Sequence, residues 1–241
     1  MVIEDLISQR GEWLRGEGPQ SDIVMSSRIR LARNLADYPF VNRASEHDRQ
    51  QIEEVLRASV LKNLDSDKLM YVDVESLSQI GRRFLHERQL ISREMAESEG
   101  ARAAVIQHDE RFCLMINEED HLRIQVMQTG FDLHAAWERM NAIDDAIESD
   151  VTYAFDERLG YLTACPTNVG TGLRVSVMLH LPALVLSHQI DKMFRSLQKV
   201  NLAVRGLYGE GSSAMGDFYQ ISNQITLGQS EVELIQKVAD I

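Results

Sequence analysis

The sequence holds 241 residues, 44% hydrophobic and 26% charged, enough apolar material for one large core or two small ones. Its formal net charge of −12 argues against nucleic acid or an anionic membrane as a partner held through the average field, and favours basic protein segments. No apolar run approaches a transmembrane span, the opening MVIEDLISQR is acidic where a signal peptide is basic, and two cysteines, Cys113 and Cys165, supply neither a disulfide framework nor a zinc spacing, so the expectation is a reduced cytoplasmic protein.

Along the chain, residues 1–22 carry a short amphipathic stretch and the turn-rich GEGPQSD. Alternation predicts a strand over Asp22–Leu31. Ser45 is placed to cap a helix reaching about Leu64, with Ile52, Val55, Leu56 and Val60 on one face. A second helix is predicted over Leu77–Gln89, then a hairpin of Ala103–Gln107 and Arg111–Ile116, and a strand over His121–Met127. Leu133–Ile147 has helical periodicity, and Val151–Phe155 with Leu159–Ala164 reads as a further hairpin. A strand over Leu173–Leu181, a helix over Leu184–Val200, strands at Leu202–Arg205 and Phe218–Ile221, and a helix starting at Glu231 complete the chain. Strands follow one another through short turns without a regular βαβ alternation. The predicted fold class is therefore α+β, a mainly antiparallel β-sheet flanked by α-helices.

The stretch CPTNVGTGLR, Cys165 to Arg174, concentrates a thiol, two glycines and an arginine. Glycine-rich turns can expose backbone N–H groups to an anion, and a guanidinium suits phosphate oxygens; a plain turn between strands is the competing reading. In SSRIR, a period of two puts Ser26, Arg28 and Arg30 on one strand face. Arg123 lies on another strand, and Arg205 precedes GLYGEG. The turn NEEDH, Asn117–His121, can aim a carboxylate at a site, or be an acidic surface turn. The sequence contains no Walker loop and no kinase HRD or DFG set.

Taken together, SSRIRLAR, NEEDHLR, CPTNVGTGLR and RGLYGEG…ISNQITLG resemble, in order and over about residues 22–230, the catalytic domain of the phosphagen kinases, the ATP:guanidino phosphotransferases. GPQSDIVMSSRIRLARN, YAFDERLGYLTACPTNVGTG and MLHLPALVLSHQI bring the chain nearest to the bacterial protein arginine kinase branch. The resemblance implies one catalytic domain over 1–241, with a glutamine synthetase-like sheet. It implies that Arg28, Arg30, Arg123, Arg174 and Arg205, with Ser26 beside them, hold nucleotide phosphates and the transferring phosphoryl group. Glu119 matches the catalytic carboxylate, Cys165 the reactive cysteine beside the guanidino group, and Glu210 the acid that binds the target arginine. Gln89 falls where many relatives place a histidine beside the adenine. ATP and Mg²⁺ are the implied cofactors, the metal being held mainly by nucleotide and water, with no protein metal ligand.

Nothing in the sequence resembles the small N-terminal domain that closes over small acceptors, nor the C-terminal helical domain of the bacterial branch. The expected acceptors are proteins with exposed arginines, marked for regulated degradation in a stress response, with an activator protein and protease or chaperone machinery as partners. The alternatives are a kinase of a small guanidino compound such as free arginine, and a non-catalytic nucleotide- or phosphoarginine-binding module. The intact Glu119 and five arginines weigh against the last.

Overall fold

The computed structural model describes residues 6–7, 9–206 and 216–240. Its centre is one antiparallel sheet of eight strands in the order β2-β3-β4-β5-β1-β8-β10-β9, where β1 is Val24–Arg33, β2 Leu69–Asp73, β3 Ala103–Gln107, β4 Phe112–Ile116, β5 Leu122–Thr129, β8 Leu173–His180, β9 Leu202–Gly206 and β10 Phe218–Asn223. The two-residue strands β6 (Phe155–Asp156) and β7 (Gly160–Tyr161) pair apart from it.

The period of two divides this sheet into faces of different chemistry. Ile29, Leu31, Ile124, Val126, Val175, Val177 and Ile221 point one way into the main core. Three helices cover them: α1 (Glu46–Asn63) with Ile52, Leu56 and Val60, α4 (Leu133–Glu148) with Ala136, Met140, Ile143 and Ile147, and α7 (Glu231–Ala239) with Leu234 and Val238. Each fully buried aliphatic side chain contributes about 1.5–3 kcal/mol relative to exposure. The opposite face is closed over β2, β3 and β4 by α2 (Gln79–Glu87) and α3 (Arg93–Glu97), through a second cluster that includes Met70, Leu85, Met95, Cys113 and Met115. Over β5, β1, β8 and β10 that face carries the clefts described below.

Local chemistry sets the ends of the elements. Ser45 Oγ accepts the Asp48 N–H at 3.1 Å while the Asp48 carboxylate accepts the Ser45 N–H at 2.8 Å, a reciprocal cap where the sequence places one. The single helix expected over Leu184–Val200 is two, α5 (Pro182–Leu186) and α6 (Ile190–Lys199). His188 turns left-handed (φ 56°) and the Gln189 N–H closes onto Leu184 O, a helix stop without a glycine to announce it. The expected 151–164 hairpin shrinks to β6 and β7: Tyr153 on its flank bridges Leu35, and Tyr161 of β7, paired with Phe155, also bridges Gly170.

Candidate functional site

On the face opposite the main core, antiparallel register gathers arginines from separate parts of the chain. Arg30 stands directly across from Arg174, Arg28 from Ser176, Ala32 from Arg123 and Gln220 from Arg205. Arg30, Arg123, Arg174 and Arg205 line a cleft of about 650 Å³, and Glu119 and Cys165 line it as well. An adjoining cleft of about 320 Å³ is shared by Arg28, Arg30, Arg123, Arg205 and Gln89. Ser26 sits farther along, beside Trp13 and Met178, at a cavity of only about 10 Å³. The structure thus brings together the five arginines, Glu119 and Cys165, leaves Ser26 at the margin, and does not reach Glu210, which lies outside the described residues.

The crowding is electrostatically costly. Burial, then Arg174 and Arg123, push Arg28 down to about 10, and burial with Arg28, Arg123 and Arg174 pushes Arg30 well below its usual range, against a favourable pull from Glu118. A guanidinium stays charged in proteins, so these shifts express the cost of burial and then of mutual repulsion, which a polyanion would offset. Arg28 is steadied by Gln89, whose Oε1 accepts its NH1 donor at 3.1 Å.

The NEEDH turn faces these cations with two carboxylates. Glu118 is buried and receives Arg123 NH1 at 2.7 Å, Ser92 Oγ at 2.5 Å and the Glu119 N–H at 2.8 Å. Glu119 is half-exposed and accepts Arg123 NH2 at 3.0 Å. Burial raises the Glu119 carboxyl, Arg123 opposes it, and Asp120, Glu118 and Glu94 add to the rise. The turn is held from beneath. Asn117 takes φ 57° and donates to Arg49 O and Ala101 O, which fixes this left-handed corner. Asp120, fully buried, accepts Asn34 Nδ2 at 2.6 Å and the Ala164 N–H at 2.7 Å, so one carboxylate ties the turn to the segment entering Cys165. His121 Nδ1 accepts the Leu35 N–H at 3.0 Å, which leaves Nε2–H to donate to Pro39 O at 2.9 Å.

Cys165 is partly exposed, with Sγ 3.0 Å from Thr167 Oγ1, whereas Cys113 is buried in the second core, where desolvation drives its thiol up. The glycine turn differs from a phosphate cradle of backbone donors. The N–H groups of Gly170, Thr171, Gly172 and Leu173 go to Tyr161 O, Thr226 O, Asn168 O and Thr171 Oγ1. Gly170 and Gly172 are required by closeness instead: both have positive φ, and an added Cβ would lie 2.4 Å from Thr226 O and 2.6 Å from Ala32 O. Anion recognition therefore falls to side chains. Sequence reasoning missed Glu94, Glu118, Asp120 and Asn34: the last three sit within recognised motifs, whereas Glu94, on α3, joins the cleft lining only through the fold.

Known proteins resemble this chain in sequence and in fold. The family model for the ATP:guanido phosphotransferase C-terminal catalytic domain matches residues 51–241. A protein-arginine kinase of Symbiobacterium thermophilum is 48% identical over 98% of this chain and 68% of its own length. One from Brevibacillus brevis is 47% identical over 94% of this chain and 64% of its own length, so the chain spans about two thirds of such relatives. Among solved structures, the duplicated taurocyamine kinase of Schistosoma mansoni with bound transition state analog components superposes with a TM-score of 0.83, at 26% identity over 92% of this chain and 32% of that one. A lombricine kinase superposes with a TM-score of 0.79, at 27% identity over 99% of this chain and 68% of that one.

Proposed function

The chain belongs to the ATP:guanido phosphotransferase family, and from that premise we propose that it is a protein-arginine kinase, transferring the γ-phosphoryl group of ATP to a guanidino nitrogen of arginine in proteins. The observation that carries the reading is a single cleft lined by four arginines together with Glu119 and Cys165.

Arg28, Arg30, Arg123, Arg174 and Arg205 hold the phosphate oxygens and offset the charge spread over the transferring phosphoryl group. The acceptor is a cation whose pKa of roughly 12.5–13.8 makes it a poor nucleophile. Glu119 attracts it and accepts its proton as the N–P bond forms and the bond from the γ-phosphorus to the bridging oxygen breaks, releasing ADP. The raised Glu119 carboxyl makes it a better base than an exposed glutamate, and ligand phosphates competing for Arg123 would free it further. Cys165 places its Sγ beside the acceptor guanidinium, with Thr167 Oγ1 as its hydrogen-bond partner. Glu210 is the second acceptor anchor. Mg²⁺, carried by nucleotide and water, would offset phosphate charge. The finer reading rests on the motifs alone: the acceptors are proteins marked for regulated degradation in the cytoplasm, with an activator and protease or chaperone machinery as partners.

The test supplies ATP with an arginine-rich protein or with free arginine and follows acid-labile phosphate. The protein should be the far better acceptor, because contacts either side of the arginine add binding energy for positioning. Glu119→Gln should reduce turnover by about 10²–10⁴-fold, the usual contribution of a positioned base. Glu210→Ala should weaken protein phosphorylation with little change in ATP affinity. Free arginine as the better acceptor would replace this reading with a small-guanidine kinase.

A further inference from the structure

β1 ends in an arginine that faces away from the phosphates. Arg33 lies out of phase with Arg28 and Arg30, on the core side of the sheet, and is 2% exposed. Its guanidinium is fully engaged. Nε and NH2 donate to Asp144 Oδ2 on α4 at 3.2 and 2.8 Å, and the plane lies 3.4 Å from the Tyr161 ring centroid. NH1 donates to Ala32 O at 3.1 Å and to Thr171 O at 2.9 Å.

The last bond joins this buried pair to the glycine turn. Thr171 stands three residues before Arg174 and six after Cys165. Gly172 passes so close that a Cβ there would come within 3.0 Å of Arg33 NH1. On its far side the turn is held by Thr226 O, which accepts both the N–H and, at 3.3 Å, the Oγ1 of Thr171. The N–H groups from Gly170 to Leu173 are all engaged within the protein, so the turn shapes the cleft through the residues that line it, with Cys165 at its start and Arg174 at its end.

We infer that Arg33 is a positioning residue for phosphoryl transfer: it pins the Thr171–Gly172 turn between β1 and α4, and so fixes the separation of Cys165 from Arg174 across the cleft. This rests on the proposed role of Arg174 as a phosphate ligand. A buried ion pair alone would not demand it, since such pairs are often replaceable by apolar residues without loss of stability. The contact to Thr171 O is what an apolar replacement cannot supply.

The paired substitution Arg33→Met with Asp144→Leu separates the two roles, because it removes both buried charges together. MgADP affinity is measured by calorimetry without any acceptor, and turnover with ATP and an arginine-rich protein, both well below the thermal midpoint. The double variant should melt near or above the wild type, yet turn over on the order of ten- to a hundredfold more slowly, the scale of a misplacement of about 1 Å, and bind MgADP more weakly. Should it not fold, Arg33→Lys retains a charge for Asp144, but its single ammonium cannot replace the fork that reaches Asp144 and Thr171 O together; the same losses are expected. Wild-type affinity and turnover in a folded variant would leave Arg33 a structural residue and overturn the inference. If the wild type itself binds no MgADP, the functional reading fails and takes this inference with it.

Discussion

Cys165 and Cys113 place the same side chain in opposite surroundings. Cys113 is 1% exposed among Met70, Met115 and Leu85, and burial disfavours its thiolate. Cys165 lines the cleft beside Thr167 and Arg174. A thiol reagent at neutral pH should therefore modify Cys165 first, and bound ADP with an arginine peptide should slow it; peptide mapping that found Cys113 labelled first would contradict the placement. Sequence distinguishes the two by neighbours, since CPTNVGTG is polar and turn-forming while FCLMI is apolar on both sides. It could not reveal that the glycine turn spends N–H groups on Tyr161 and Thr226, because those partners come from elsewhere in the fold.

At the scale of elements, the NEEDH turn works because it is clamped at both ends, and His121 is one clamp. Burial lowers its pKa, with Pro39 O and Asp120 opposing, and its Nδ1 must stay unprotonated to accept the Leu35 N–H. The unfolded chain takes up a proton near pH 6.5, whereas the folded one resists until a lower pH. His121 therefore contributes stability that is complete above about pH 6.5 and is lost as pH falls toward its lowered folded value. His121→Asn retains an acceptor for Leu35 but cannot titrate. Its urea midpoint should fall less than that of the wild type between pH 7.5 and 5.5, and an equal fall would remove His121 from the account. Strands and capped helices were legible wherever period and cap agree, as at Ser45 and in the hairpin of β3 and β4. β2 and α3 were not: five residues give too few periods, and both form against the second core rather than by propensity. The Arg30–Arg174 pairing follows from register, which no local pattern in either strand specifies.

Over the whole molecule, a chain of net charge −12 gathers five arginines onto one face of its sheet. The average field attracts a basic protein, while the local field attracts phosphate, so one acidic protein can hold substrates of opposite charge at adjoining places. The cost is burial and repulsion borne in the free state, and Arg30 carries much of it. Burial disfavours its charge first, Arg28, Arg123 and Arg174 add to that, and its Nε is buried without a hydrogen-bond partner. Removing Arg30 should therefore stabilise the free protein while damaging the site. Arg30→Met relieves an unsatisfied buried donor, a penalty of about 1–3 kcal/mol, and each kcal/mol recovered is roughly 2–4 °C of thermal midpoint for a domain of this size. MgADP or tripolyphosphate should raise the wild-type midpoint, by linkage worth about 2.7 kcal/mol at a hundredfold excess over Kd, and should raise that of Arg30→Met much less. Thermal scans with and without the anion read both effects. If Arg30→Met melts lower than the wild type in the absence of ligand, the arginine cluster is held by partners that outweigh its repulsion, and the stored-cost account of the site is wrong.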